Sequence, residues 1–171
     1  MKNKRLAAAI IALAAATLIL GYLNMKGMDA SDKAAGSITF IYGEKTVKLS
    51  YEEITSLDSQ EFKATEDTSG SGPSSRKYKG VLLRDVLYKA SIDRQDIEAA
   101  SKVTVKGLDG YVIALGADEV LADKGVHLAY EKDGKPLGNM SNGGSGPVQL
   151  IAKTDTFSQR WCKYVCEVKL E

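Results

Sequence analysis

The sequence predicts an α+β domain: a mixed sheet with short interspersed helices. Three observations carry this. Short β-branched runs recur at intervals, bounded by glycine, aspartate and asparagine turns. Helical stripes between them are brief, and none forms a regular strand–helix–strand alternation. Hydrophobic residues make up 44% and charged residues 26% of the 171-residue chain, the composition of an ordinary globular domain with a real core.

The elements follow in order. Lys2, Lys4 and Arg5 precede an uncharged run from Leu6 to Leu23. A basic flank before an apolar run reads as an export signal or signal anchor. The run lies at the short end of what spans a bilayer as a helix. No cysteine follows it, so a bacterial lipid anchor is excluded. Residues 1–25 are read as the anchor, its N-terminus cytoplasmic by the positive-inside rule. A cleaved signal near Ala34-Ala35-Gly36 fits the same residues. Either way the domain is expected at the extracytoplasmic face of the cell membrane, or secreted after cleavage. Residues 26–36 form a polar linker and residues 37–171 the domain.

Ser37 to Tyr42 and Lys45 to Leu49 alternate around the Gly43-Glu44 turn and predict a hairpin. Ser50 with Glu53 forms a capping box that starts a short helix to about Leu57. Glu61 to Glu66 predicts a strand. Thr68 to Lys77, rich in serine and glycine, reads as a loop, either a plain excursion or the lip of a site. Leu83, Val86, Leu87 and Ala90 form a helical stripe, and Asp93 to Ala100 a second short helix. Lys102 to Lys106 and Tyr111 to Leu115 flank Asp109-Gly110 as a hairpin. Ala117 to Leu121 is a helical turn, and Val126 to Glu131 a strand closed by Asp133-Gly134. Pro147 to Ala152 and Trp161 to Leu170 complete the sheet.

The residues with chemical potential gather near the C-terminus. The net charge is +1, and no basic strand carries stacking aromatics, which argues against nucleic acid. Gly143-Gly144-Ser145-Gly146 lacks the lysine-serine and following helix of a phosphate loop. Its amides can still form an anion-binding concavity, or it is simply a flexible entry to the next strand. Arg160 and Lys163 flank Trp161 and suit a bidentately bound phosphate, although solvated surface charge explains them equally. His127 is the only histidine and alternates with apolar residues, as structural histidines do. No serine sits in a nucleophile elbow, so hydrolysis has little support.

Cys162 and Cys166 fall on one face of a strand read from Trp161 to Leu170. Four residues of strand separate Cα atoms by roughly 13 Å, and a disulfide needs about 4.4–6.8 Å. The two thiols are therefore expected reduced and buried. No histidine or second cysteine pair completes a metal tetrahedron, so no metal ligand is assigned.

The ordered segments resemble a family. Tyr78-Lys79-Gly80-Val81-Leu82-Leu83-Arg84-Asp85-Val86-Leu87 resembles the "G-V-x-L-x-D-x-L" helix of the sulfite-oxidase-like molybdopterin-binding domain. Gly107-Leu108-Asp109-Gly110-Tyr111 is similar to its "G-x-D-G-Y" hairpin. Leu128-Ala129-Tyr130-Glu131, Gly134-Lys135-Pro136-Leu137 and Gly144-Ser145-Gly146-Pro147-Val148-Gln149-Leu150-Ile151 follow in the family's order. Arg160-Trp161-Cys162-Lys163 resembles its closing segment. The resemblance implies a sulfite-oxidase-like molybdopterin-binding fold with a cleft for a pterin dithiolene. It also implies that active members bind molybdenum through one thiolate upstream of the "G-V-x-L" helix. This sequence offers Glu61 to Lys77 there and no cysteine, which argues against molybdenum, a soft-ligand site.

The expected function is therefore a membrane-tethered, extracytoplasmic domain of molybdopterin-oxidoreductase type. It binds a pterin-like anionic ligand through Gly144, Ser145, Gly146, Ser158, Gln159, Arg160 and Lys163; the expected partners are the membrane, through the N-terminal segment, and either a small anionic ligand or a redox partner protein. The alternative is a non-catalytic ligand-binding or protein-interaction module on the same fold. No catalytic residue is assigned.

Overall fold

Ser50 ends a strand and caps a helix, and both events follow from one side chain. Its hydroxyl accepts from the Glu53 amide at 3.2 Å, and its own amide donates to the Glu53 carboxylate at 2.8 Å. Two amides at the helix start are satisfied reciprocally, as the capping-box reading requires. Asp93 and Asp96 repeat the device one helix later. These contacts come from a computed structural model that describes residues 10–23, 36–68, 72–156 and 158–171.

Residues 10–23 form helix α1, and its apolar side chains are exposed all round, Leu13 and Leu18 among them. At ~1.5 Å per residue it reaches about 21 Å. Among the described residues, no helix is long and apolar enough to cross a membrane.

The domain then runs β1 (Ser37–Tyr42), β2 (Lys45–Ser50), α2 (Tyr51–Thr55), β3 (Gln60–Thr68), β4 (Gly72–Leu82), α3 (Leu83–Lys89) and α4 (Arg94–Ala99). It continues with β5 (Val103–Gly107), β6 (Val112–Leu115), α5 (Ala117–Leu121), β7 (Val126–Lys132) and β8 (Lys135–Pro136). A 3-10 turn (Met140–Asn142), β9 (Gln149–Ala152), a second 3-10 turn (Ser158–Arg160) and β10 (Val165–Leu170) complete it.

The expected α+β fold, mixed sheet with short helices, is built as two five-stranded sheets. One has the order β2-β1-β10-β5-β6. Among the described residues its only parallel pairing joins β1 to β10, with Phe40 opposite Val168. The other has the order β3-β4-β7-β8, with β9 also on β7. The main core fills the space between them. Phe40, Val105 and Val168 from the first sheet meet Val81, Leu128 and Leu150 from the second, with Leu87, Ile97 and Val120 from the helices. Each such side chain, fully buried, contributes about 1.5–3 kcal/mol. Side chains alternate along a strand. Ala129 and Ile151 therefore face away from Leu128 and Leu150, into a smaller cluster with Phe62, Tyr78 and Trp161.

Two expectations are corrected. The loop read from Thr68 to Lys77 is largely strand. β3 and β4 form a long ribbon in register from Gln60↔Gly80 to Thr68↔Gly72, and only residues 69–71 lie outside the described residues. Serine and proline are tolerated there because the ribbon's outer half faces solvent and needs no apolar alternation. The continuous strand from Trp161 is also broken. Tyr164 adopts a left-handed φ of 53°, and the β10–β5 register shifts between Val165 and Glu167. Cys162 makes an isolated bridge to Leu150 instead. The two thiols consequently differ: Cys162 is fully buried and Cys166 only partly.

Candidate functional site

The glycine loop is held by its own amides. Gly143 N donates to Met140 O at 3.0 Å and Gly144 N to Asn139 O at 2.9 Å. Ser145 N donates to Leu137 O at 3.1 Å and Gly146 N to Gly138 O at 2.9 Å. The expected cradle of free amides is therefore corrected, because each donor already has a carbonyl. Gly144 is a glycine for steric reasons, since a Cβ there would press on the Leu137 carbonyl oxygen and the Gly138 backbone. From the other side, Tyr164 Oη donates to Gly144 O at 2.5 Å, and Tyr164 N donates to Ser145 O at 3.1 Å.

Beside this loop lies a depression of about 500 Å³. The β7–β8 hairpin forms one wall and the segment after the second 3-10 turn another. Glu66, Lys132, Lys135, Leu137, Ser145 and Lys163 line it. The Asp133-Gly134 turn, both residues at positive φ, folds the chain so that Lys132 pairs across to Lys135. Lys132 Nζ lies 3.2 Å from Glu66 Oε2. Asp133, also at the rim, is engaged by Arg76 at 3.4 Å and by the Lys77 amide at 3.1 Å. Among the described residues, no carboxylate pairs with Lys135 or Lys163, and both are exposed. Two cations without counter-charges beside a hydroxyl make an anion-accepting rim.

Of the seven residues expected to form the site, the structure brings Gly144, Ser145 and Lys163 together here, with Gly146 buried just behind. Ser158, Gln159 and Arg160 go elsewhere. Ser158 Oγ donates to Asp67 O at 2.9 Å and accepts from Asp67 N at 3.0 Å, tying the turn to β3. Gln159 O accepts from Tyr111 Oη at 2.5 Å. Arg160 is fully engaged: Nη1 and Nη2 reach Glu119 at 3.1 and 2.6 Å, Nε reaches Asp155 Oδ2 at 2.8 Å, and Nη2 also meets Asp155 Oδ1. Those carboxylates, Asp155 first and Glu119 second, raise the guanidinium's pKa, while Arg160 holds Glu119 below its ordinary value. The bidentate fork read as a phosphate clamp is a structural cross-brace between α5 and the C-terminal segment. Sequence reasoning missed Glu66, Lys132 and Lys135. The Lys132-Asp133-Gly134-Lys135 turn was the available signal for the two lysines, while Glu66 left none.

The donor set does not suit a thiolate-bound metal. Cys162 lies against the carbonyls of Tyr111 and Lys163, and burial pushes its thiol up to about 12, so it stays protonated at neutral pH. The Cys166 thiol rests on the Lys106 carbonyl at 3.4 Å, and its pKa too is raised, mainly by burial. Among the described residues, no cluster of three histidine, cysteine or carboxylate side chains could hold an ion. His127 is buried on β7, its ring centroid 4.1 Å from that of Phe62 and tilted by 31°, with Nε2 3.5 Å from Gln60 Oε1. Burial and then Lys153 lower its pKa to about 4, so it is neutral. The pterin part of the implied cofactor fits better than the metal, because the lysine rim supplies donors for a phosphate and Leu137 an apolar floor.

Residues 38–171 match the oxidoreductase molybdopterin binding domain family. The fold is also similar to the crystal structure of the sulfane dehydrogenase SoxCD from Paracoccus pantotrophus, with a TM-score of 0.63 and 17% sequence identity. That superposition covers 78% of this chain and 37% of the SoxCD chain, so the chain spans little more than a third of that protein's length. No curated protein sequence matches the chain.

Proposed function

The chain belongs to the oxidoreductase molybdopterin-binding domain family, and from that premise we propose that it binds a phosphorylated, pterin-like ligand in the lysine-rimmed depression. The observation that carries this reading is the pairing of Lys135 and Lys163, neither with a carboxylate partner among the described residues, beside Ser145 in a space of about 500 Å³. That volume lies in the range of small-molecule sites. Lysine ammonium groups and a serine hydroxyl are the donors a phosphate uses. The chain's residues then do the work of holding: Lys135, Lys163 and Ser145 take the anion, Leu137 supports an apolar face, and Tyr164 fixes the loop through Gly144. A bound molybdenum cofactor would supply oxygen-transfer chemistry. The buried Cys162 and the engaged Cys166 do not supply the thiolate such a metal prefers. The reading is accordingly a ligand-holding domain of oxidoreductase type.

The same proposal includes a tether. The uncharged run from Leu6 to Leu23 with its basic flank, and the all-round exposure of the apolar residues of α1, support residence of the N-terminal segment in a bilayer and of the domain outside the cytoplasm.

Isothermal titration of the purified full chain with 6-hydroxymethylpterin phosphate tests the ligand. A saturable heat that Lys135→Ala/Lys163→Ala abolishes is expected, and the absence of binding by the wild type overturns the reading. Carbonate-washed membranes test the tether, since release of the intact chain into the supernatant would remove it.

A further inference from the structure

We infer that Glu66 selects the ligand of this depression, accepting hydrogen bonds from the amino edge of a 2-aminopyrimidinone ring whose phosphate lies on Lys135 and Lys163. The inference rests on the pterin-phosphate reading and adds its specificity.

On β3, Phe62, Ala64 and Glu66 alternate onto one face of the ribbon, and Phe62 and Ala64 are buried. Glu66 continues that stripe into the depression, where its side chain is only 18% exposed. A site built solely for anions gains nothing from a carboxylate inside it, because like charges at short range oppose each other. Glu66 is also not consumed by its neighbours. Its ion pair with Lys132 is long, at 3.2 and 3.5 Å to the two oxygens. A carboxylate has about four lone-pair positions, so acceptor capacity is left over. Asp133 differs, since Arg76 and the Lys77 amide hold it.

The depression thus offers acceptors at Glu66 and donors at Lys135, Lys163 and Ser145. A molecule that satisfies both ends carries an anion and a donor-rich edge. In a 2-aminopyrimidin-4-one ring, the exocyclic amino group and the adjacent ring N–H point the same way, spaced to meet the two oxygens of one carboxylate. Partly buried groups of this kind discriminate, because an analogue without the donors leaves the acceptor unpaired.

The test compares 6-hydroxymethylpterin phosphate with 6-hydroxymethyllumazine phosphate, in which a 2-oxo group replaces the 2-amino group. The full chain should prefer the pterin by at least about tenfold, the value of one charge-assisted hydrogen bond. Glu66→Gln should abolish or reverse that preference, because its amide donates to the 2-oxo group. Lys163→Ala should weaken both ligands alike and keep the preference. Equal wild-type affinity for the two ligands overturns the role of Glu66 and leaves the anion site standing. An unchanged preference in Glu66→Gln overturns it as well. Binding of neither ligand by the wild type overturns the underlying reading.

Discussion

Tyr164 donates its phenolic hydrogen to the Gly144 carbonyl at 2.5 Å across a gap of 20 residues, and this bond joins the glycine loop to the segment that carries Lys163. Its backbone is left-handed, with φ of 53°, a conformation that tyrosine adopts only when its surroundings enforce it. Tyr164→Phe keeps the ring and removes the bond. A buried hydrogen bond contributes about 0.5–1.5 kcal/mol, so pterin phosphate should bind roughly 2- to 10-fold more weakly. Titration of Tyr164→Phe checks this, and wild-type affinity would mean that the loop holds its shape without the latch.

His127 sets the first part of the acid response. Its pKa is lowered to about 4, first by burial and then by Lys153. The unfolded chain binds the proton near pH 6.5. Between these values the unfolded state carries more protons, so stability falls as pH drops from about 6.5 to 4, by up to about 3 kcal/mol. Urea unfolding at a series of pH values should show that slope, and His127→Phe should flatten it. A slope that persists in His127→Phe would assign it to other groups.

The parts of the fold readable from the sequence are those decided locally. The Ser50 and Asp93 caps need only a residue three positions on, and the turns at Gly43 and Gly110 need only a residue free to take positive φ. The division into two sheets was not readable, because the parallel pairing of Phe40 with Val168 joins opposite ends of the domain. The lining of the candidate depression was half readable for the same reason. Lys163 and Ser145 lie in one stretch of chain, whereas Glu66 and Lys132 arrive from distant strands. Arg160 shows the converse: its partner Glu119 is 41 residues away, and nothing beside an isolated arginine tells a cross-brace from a phosphate clamp.

The two thiols should report on the broken final strand. Cys162 is fully buried and its thiol is pushed up to about 12, chiefly by burial. Cys166 is partly exposed. Thiolate is the reactive form, so a maleimide at pH 7.5 should label Cys166 slowly in the native protein and Cys162 only after denaturation. Peptide mapping distinguishes them, and native labelling of Cys162 at the rate of Cys166 would contradict the bridge between Cys162 and Leu150.

Arg160→Met should damage the fold and spare the ligand. The guanidinium joins Asp155 and Glu119, and its loss leaves two partly buried carboxylates facing each other without a cation. The Arg160 side chain is 37% exposed, so solvent screens part of the effect. We expect a loss of about 1–3 kcal/mol. Arg160 holds the Glu119 pKa down. Such a group stabilises the fold above its unfolded pKa of about 4.3 and ceases to do so as pH falls through the lower folded value. The variant should therefore lose the part of the acid limb below about pH 4.3 while keeping the His127 part above it. Pterin phosphate affinity should stay within about threefold, because Asp155 and Glu119 engage the fork and Arg160 does not line the depression; a threefold change is under 1 kcal/mol. Urea unfolding across pH and titration on the same preparation check both halves. A tenfold loss of affinity at unchanged stability would return Arg160 to the ligand.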